Sequence, residues 1–248
     1  MRPPPLDRAS ALFVDVDGTL LEIAPRPELV QVPHALPELL ARLAAERGGA
    51  MALVSGRRLA DLNRLFSPWR GAAAGLHGAE IRRPDGRCLR GENAGDAAAA
   101  AIDRLRPRLA DWAGRRPGIA LEDKGRTLAL HYRGAPARAA EVSEFAAGLL
   151  REVGGSLRLI AGKMVVELLP RGCGKDGAIA AFLAEPPFCG RRPVFLGDDV
   201  TDEDGFAEIN RRGGLSVRVG ARGPETAAAY ALPSVAATLR WLAAAGLN

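Results

Sequence analysis

Lysine is almost absent from this sequence of 248 residues, because all but three of its 34 basic residues are arginine. The three lysines are Lys124, Lys163 and Lys175. An ammonium is a compact, strongly hydrated point charge, whereas a guanidinium is a planar fork of donors, so the two are not interchangeable. We therefore expect the remaining lysines to stand where the chemistry needs an ammonium.

Long apolar runs and paired cysteines are also missing. No stretch reaches the roughly 18–20 uncharged residues that a membrane helix needs. The N-terminal Met1-Arg-Pro-Pro-Pro-Leu6 has no apolar run behind its charge and is not expected to be a secretory signal. The three cysteines lack metal-ligand spacing, and we expect them to be free thiols in a reducing cytoplasm.

The net charge of +5 would suit a nucleic-acid-binding protein, but two features of the sequence argue against one. The arginines are scattered among aspartates and glutamates rather than gathered in blocks. Aromatic residues make up 5% of the chain, which is little for a base-stacking surface. We expect a small anionic substrate, and neither nucleic acid nor a membrane as a partner.

Apolar runs alternate with helical segments over most of the chain. The runs at 11–15, 50–55 and 194–196 are typical of strands that are buried on both faces of a parallel sheet. Strands that alternate with helices imply right-handed crossovers and a doubly wound α/β core.

The alternation is interrupted once, between residues 94 and 170. The pattern in this stretch predicts a helix, two strands, a second helix and two further strands. This order indicates a smaller α+β cap domain inserted into the core. The predicted core is then built from residues 1–93 and 171–248.

Acidic residues cluster directly after two of the predicted strands. Asp15 and Asp17 form the first cluster, and Asp198 and Asp202 belong to the second. A turn or a helix cap would explain either cluster alone. In a doubly wound sheet, however, ligands bind where the strands end, and carboxylates that meet there repel unless a cation bridges them. Hard oxygen ligands of this kind suit Mg²⁺.

The end of one predicted strand and the start of one predicted helix carry groups that can bind a phosphate. Ser55 and Arg57 follow the second apolar run, and Lys175 begins a predicted helix. A hydroxyl, backbone N–H groups and an ammonium at a helix N-terminus can together hold phosphate oxygens. A Walker A loop is excluded, because Leu169 and Asp176 stand where that motif needs Gly and Ser or Thr.

Taken in chain order, these segments resemble the four motifs of the haloacid dehalogenase-like (HAD) superfamily. They are Asp15-Val-Asp-Gly-Thr19, Ser55, Lys175 and Gly197-Asp-Asp-Val-Thr-Asp202. The resemblance implies Mg²⁺-dependent phosphoryl transfer through an aspartyl-phosphate, with Asp15 as nucleophile and Asp17 as general acid and base. It implies that Ser55 and Lys175 hold the phosphoryl oxygens. The implied metal ligands are Asp15, the main-chain carbonyl of Asp17, Asp198 and, as a ligand or an anchor, Asp202.

Further patterns are similar to those of trehalose-6-phosphate phosphatases. They are His77-Gly-Ala-Glu80, Glu122-Asp-Lys124, His131-Tyr-Arg133, Gly162-Lys-Met-Val-Val-Glu167 and the continuation of the last acidic segment to Phe206. This resemblance implies hydrolysis of trehalose 6-phosphate in the cytoplasm, alongside a trehalose-6-phosphate synthase. The implied substrate contacts are Glu122, Lys124, Arg133, Lys163 and Glu167, with Arg57 and His77 as further candidates.

Three alternatives stay open at this point. Lys163 and Glu167 are expected to lie on one strand, over residues 163–169, and to share a face, but such pairs also occur as exposed ion pairs of little energetic weight. His77 is either a buried imidazole or a residue at the mouth of the site. The same core would also fit a phosphatase for sucrose 6-phosphate or mannosyl-3-phosphoglycerate, or a non-catalytic sugar-phosphate sensor.

Overall fold

The computed structural model describes residues 1–24, 29–90, 95–220 and 225–245, and the chain divides into two compact units. The core unit comprises Met1–Leu89 and Gly174–Asn248, and the cap unit comprises Arg90–Cys173. The predicted boundary between residues 93 and 94 lies outside the described residues. The boundary predicted after residue 170 falls slightly before Cys173.

The described residues contain twelve strands and seven α-helices. The strands are β1 (Ala11–Val14), β2 (Met51–Val54), β3 (Ala72–Gly75), β4 (Glu80–Arg82), β5 (Cys88–Arg90), β6 (Ala120–Asp123), β7 (Leu128–His131), β8 (Leu157–Gly162), β9 (Val165–Pro170), β10 (Pro193–Gly197), β11 (Leu215–Val219) and β12 (Tyr230–Leu232). The helices are α1 (Leu36–Glu46), α2 (Leu59–Leu65), α3 (Asp96–Gly114), α4 (Ala139–Glu152), α5 (Lys175–Leu183), α6 (Glu203–Arg211) and α7 (Val235–Ala243). None of these helices is long and apolar enough to cross a bilayer.

The core unit is built on one sheet with the order β12-β11-β10-β1-β2-β3-β4-β5. The pairs from β12 to β3 are parallel, and β4 is antiparallel to β3. Strand β1 lies between β10 and β2, with Val14 beside Leu196 on one side and Leu53 on the other. The predicted α/β class is therefore confirmed. Strand β12 was not predicted, because three residues are too few to produce a recognisable period.

Helices cover both faces of this sheet, as the continuous apolar runs predict. On one face, Leu12 and Val14 belong to a cluster that includes side chains of α1, α2 and α7. On the other face, Phe13 belongs to a cluster that includes side chains of α5 and α6. Because β1 is buried on both sides, its C-terminal end is held in a fixed position, and the residue that follows it is Asp15.

The cap unit is a second sheet with the order β6-β7-β9-β8, in which every neighbouring pair is antiparallel. Leu128, Leu130, Val166 and Leu168 form a buried cluster with apolar side chains of α3 and α4. Side chains alternate between the two faces of a strand, so the residues between these leucines and valines lie on the other face. That face carries most of the polar residues predicted to contact a sugar.

Candidate active site

The ends of three neighbouring strands bring the predicted core residues together. Asp15 directly follows β1, Ser55 follows β2, and Asp198 follows β10. The backbone N–H of Asp15 donates to the carbonyl of Leu196 at 2.9 Å, so the β1–β10 ladder continues as far as this aspartate. Residues from distant parts of the sequence thus meet because the strands that carry them are neighbours.

Three carboxylates converge at this edge of the sheet. Asp15, Asp198 and Asp202 each offer an oxygen, and these oxygens lie within 4.8 Å of one another. All three residues are buried, with Asp202 wholly inaccessible. Gly18 permits the approach, because its φ of 83° is left-handed and a Cβ at this position would collide with the Asp198 carboxylate.

The ammonium of Lys175 lies among these carboxylates. Its Nζ donates to Oδ1 of Asp15 at 2.7 Å and to Oδ1 of Asp202 at 2.5 Å. Burial alone would lower the pKa of Lys175, but the charges of Asp15 and Asp202 outweigh burial and raise it. Lys175 therefore stays an ammonium, and it is the one lysine at the carboxyl edge of the described core sheet.

The cluster carries an excess of negative charge. When all three carboxylates are ionised, they face one ammonium, and two negative charges remain uncompensated within this group of four residues. Burial raises the pKa of Asp15 well above its ordinary value, Lys175 opposes the shift, and Asp202 and Asp198 add to it. A bound divalent cation would supply the missing positive charge. The three carboxylate oxygens fit such an ion as ligands, because they are hard oxygens that lie within a few ångströms of one another.

Asp202 also holds the loop that follows β10. While its Oδ1 accepts from Lys175, its Oδ2 accepts the backbone N–H groups of Asp198 and Asp199, each at 3.0 Å. Both carboxylate oxygens of Asp202 are therefore engaged by protein groups in this structure. These hydrogen bonds correspond to the anchoring role that was left open for Asp202.

The carboxylate of Asp17 points to a different partner. Arg57 donates from Nε to Oδ2 at 2.6 Å and from Nη2 to Oδ1 at 2.7 Å, a bidentate ion pair. The side chain of Asp17 is 36% exposed and that of Arg57 is 12% exposed. Arg57, expected to contact substrate, is thus bound to the neighbouring acid.

His77 is buried and packs behind the loop that carries Ser55. Its backbone N–H donates to the carbonyl of Ser55 at 3.0 Å, and the N–H of Leu76 donates to the carbonyl of Arg57 at 2.9 Å. Leu76 and His77 adopt positive φ values of 48° and 54°, which non-glycine residues rarely do. A Cβ on Gly56 would collide with the His77 ring, so the two loops fit closely together.

In the cap unit, a polar network lies across the face of the sheet opposite its helices. Glu122 is opposite Ala129, which in turn is opposite Glu167, so both carboxylates stand on one face with a small residue between them. Lys124 Nζ donates to Oε2 of Glu167 at 3.0 Å and lies 4.0 Å from Glu122. Glu122, Lys124 and Glu167 therefore lie close together on this face of the cap sheet.

Two members of this network were not among the predicted substrate contacts. Thr127 is fully buried and donates its hydroxyl to Oε1 of Glu167 at 2.5 Å. His131 Nε2 lies 2.8 Å from Oε2 of Glu122, and this hydrogen bond lowers the pKa of Glu122 despite its partial burial. The sequence does contain a signal for their position. Thr127, Ala129 and His131 alternate with the leucines that face the helices, which places them on the opposite face of the sheet.

The structure corrects the strand assignment of Lys163. Lys163 and Met164 form the turn between β8 and β9, and Met164 has a φ of 61°. Strand alternation therefore does not determine the direction of the Lys163 side chain, and the residue is exposed. Glu167 is paired with Lys124. Arg133 is also exposed and lies just after β7.

The family model described as trehalose-phosphatase matches residues 13–236 of the chain. The chain is 45% identical over 241 residues to a probable trehalose-phosphate phosphatase of Sinorhizobium fredii, covering 96% of this chain and 88% of that protein. It is 43% identical over 240 residues to the trehalose-6-phosphate phosphatase of Escherichia coli, covering 96% and 87% respectively.

Solved structures share the fold at lower identity. The C-terminal domain of the C. albicans trehalose-6-phosphate phosphatase is similar with a TM-score of 0.82 at 21% identity, covering 96% of both chains. The sucrose-phosphatase of Synechocystis is similar with a TM-score of 0.62 at 18% identity, covering 96% of this chain and 98% of that one. A phosphatase of the HAD superfamily from Bacteroides thetaiotaomicron is similar with a TM-score of 0.62 at 17% identity, covering 95% and 93%. These likenesses show the fold alone.

The charge excess predicts that Mg²⁺ stabilises the core unit. Relative to EDTA, Mg²⁺ at about 100 times its Kd should stabilise the protein by about 2.7 kcal/mol, measured by thermal unfolding. Asp198→Asn should abolish most of this effect, because it removes one donor and one negative charge from the cluster. Asp61→Asn, on the surface of α2, is the matched control and should respond like the parent. An equal response of Asp198→Asn and the parent would contradict an ion bound at this site.

Proposed function

The chain belongs to the trehalose-phosphatase family, and on this premise we propose that it hydrolyses trehalose 6-phosphate to trehalose and phosphate through an aspartyl-phosphate on Asp15. The observation that carries the proposal is the buried cluster of Asp15, Asp198 and Asp202 around the Lys175 ammonium. A nucleophilic carboxylate, an excess of negative charge and a fixed ammonium are together what a metal-assisted phosphoryl transfer requires.

In the first step, a carboxylate oxygen of Asp15 attacks phosphorus as the bond between phosphorus and the sugar oxygen breaks. Asp17 gives a proton to the leaving alkoxide, so trehalose departs as a neutral alcohol. In the second step, a water molecule attacks phosphorus, Asp17 takes the proton of that water, and the bond from phosphorus to Asp15 breaks. Phosphate is released and Asp15 is regenerated.

We assign the phosphoryl oxygens to one group after β2 and one at the start of α5. Lys175 is already fixed at the site by two carboxylates, so its ammonium needs no reorganisation to meet a phosphoryl oxygen. Ser55 is buried at the end of β2, and its Oγ accepts the N–H of Arg57 at 3.1 Å. We assign both residues to phosphoryl binding, with His77 supporting the loop of Ser55 from behind.

Mg²⁺ is the cation we propose, held by Asp15, Asp198 and the main-chain carbonyl of Asp17, with Asp202 as anchor of the loop and further donor. When bound, it would neutralise the cluster and draw charge from the phosphoryl oxygens. Uncatalysed hydrolysis of phosphate monoesters is so slow that enzymes accelerate it by up to ~10²¹-fold. Charge stabilisation at the phosphoryl group is therefore the main demand on this site.

The network on the cap sheet is the candidate for sugar recognition. Glu122 and Glu167 offer acceptors and Lys124 offers donors, a combination that matches the hydroxyl groups of a disaccharide. Arg133 and Lys163, which are exposed nearby in the cap unit, are further candidates for contact. Thr127 and His131 would hold the two carboxylates in place without touching the sugar.

We further propose that a trehalose-6-phosphate synthase supplies the substrate. The reducing cytoplasm is the compartment we favour, because Cys88, Cys173 and Cys189 are free thiols.

Replacing the nucleophile tests the chemistry directly. Asp15→Asn should lower turnover of trehalose 6-phosphate by more than about a thousandfold, because an amide cannot form the phosphoryl ester. Acid-quenched parent protein should carry a phosphoryl group after mixing with the labelled substrate, and the variant should not. Asp85→Asn, in an exposed turn, is the matched control and should behave like the parent. Near-parental turnover by Asp15→Asn would exclude the proposed nucleophile.

Replacing Glu167 tests the role of the cap network. Glu167→Gln should lower kcat/KM for trehalose 6-phosphate by about tenfold or more, because charged hydrogen bonds contribute about 1.5–3 kcal/mol each. The same variant should hydrolyse p-nitrophenyl phosphate nearly as well as the parent, because that substrate has no sugar. Glu152→Gln, on the exposed face of α4, is the control. Equal losses with both substrates would mean that Glu167 serves the folding of the cap instead.

A panel of sugar phosphates tests the substrate itself. At equal concentrations, phosphate release from trehalose 6-phosphate should exceed that from sucrose 6-phosphate and mannosyl-3-phosphoglycerate by at least about tenfold, which corresponds to the loss of one charged hydrogen bond. Comparable release from several of these compounds would contradict trehalose 6-phosphate as the preferred substrate. Binding of trehalose 6-phosphate without any phosphate release would instead indicate a sugar-phosphate sensor.

A further inference from the structure

The ion pair between Arg57 and Asp17 has a geometry that constrains catalysis. Both carboxylate oxygens of Asp17 accept from one guanidinium, at 2.6 Å and 2.7 Å. Two parallel N–H···O bonds to a planar group fix the plane of a carboxylate as well as its position. A single point charge, such as an ammonium, would leave the carboxylate free to rotate.

The backbone of Arg57 is itself held in place. Its N–H donates to Oγ of Ser55 at 3.1 Å, and its carbonyl accepts from the N–H of Leu76 at 2.9 Å. Leu76 belongs to the left-handed turn whose next residue, His77, packs against Gly56. The guanidinium therefore reaches Asp17 from a loop that is fixed on both sides, and the same loop carries Ser55.

We propose that Arg57 is a positioning residue for Asp17, not a ligand of the sugar. The inference rests on the proposed function, in which Asp17 gives a proton to the leaving oxygen and later takes one from water. Each carboxylate oxygen has a lone pair beyond the one that accepts from the guanidinium, so Asp17 can exchange a proton while Arg57 still holds it. The bidentate pair thereby keeps the plane of the carboxylate fixed during both proton transfers.

A change of leaving group separates the formation of the aspartyl-phosphate from its hydrolysis. p-Nitrophenolate leaves with the electron pair of its bond to phosphorus and needs no proton, so formation of the aspartyl-phosphate does not depend on Asp17 for this substrate. Hydrolysis of the aspartyl-phosphate still does, because the attacking water must lose a proton to Asp17. The leaving oxygen of trehalose must be protonated as its bond to phosphorus breaks, so both steps depend on Asp17 for the sugar substrate.

Rapid mixing of the full-length protein and Mg²⁺ with p-nitrophenyl phosphate provides the test. In Arg57→Gln, the rate of the first release of p-nitrophenolate should stay within about threefold of the parent's rate. The steady-state turnover should fall about ten- to hundredfold. This loss is part of the roughly 10²–10⁴-fold acceleration that general acid–base catalysis contributes. A burst of about one p-nitrophenolate per protein follows from this difference. With trehalose 6-phosphate, the kcat of the variant should fall while its KM changes little, and the release of trehalose should show no burst.

Two further variants complete the experiment. Arg57→Lys should fall between the parent and Arg57→Gln, because it restores the charge but not the fork. Arg64→Gln replaces an exposed arginine of α2 and should match the parent in every measurement. Thermal unfolding of all three variants should show that each is folded at the temperature of the assay.

The remaining outcomes would overturn the proposal in distinguishable ways. A higher KM with unchanged kcat would make Arg57 a substrate ligand, and unchanged kinetics would make the ion pair purely structural. If Arg57→Gln lowered the rate of the first p-nitrophenolate release as much as the steady-state rate, Arg57 would act at the phosphoryl group. Absence of any phosphate release from trehalose 6-phosphate by the parent would contradict the proposed function itself, separately from the role of Arg57.

Discussion

Three buried carboxylates face one buried ammonium where β1 and β10 end, and most of the site depends on this electrostatic imbalance. The acids cannot move apart, because β1 is packed on both faces and Asp202 is hydrogen-bonded to the loop after β10. Burial makes the negative charge of Asp15 costly, and Lys175 offsets only part of it. The fold thus holds a nucleophile whose remaining negative charge a bound cation would compensate.

The parts of the site that could be predicted from the sequence are those that backbone topology determines. Asp15, Ser55 and Asp198 each follow an apolar run, and parallel strands end at one edge of a sheet, so their meeting required no knowledge of side-chain conformation. The parts that were missed depend on rotamers and turns. The pairing of Arg57 with Asp17 needs the direction of a long side chain, and Lys163 was placed on a strand because a two-residue turn leaves no periodic signal.

The scarcity of lysine turned out to be informative for two of the three positions. Lys175 lies between two buried carboxylates, and Lys124 bridges towards Glu167 on the cap sheet. In both places a compact ammonium fits where a planar guanidinium would need more room and a different arrangement of acceptors. Lys163 is exposed in the turn between β8 and β9.

We propose that two acidic segments, distant in sequence, share one divalent ion. An anomalous difference map from crystals of the protein grown with Mn²⁺ in place of Mg²⁺ would locate this ion. We expect a single strong peak within coordination distance of carboxylate oxygens from both Asp15 and Asp198, with Lys175 retained beside it. A peak bound by one of these segments alone, or no peak in the presence of saturating Mn²⁺, would contradict it.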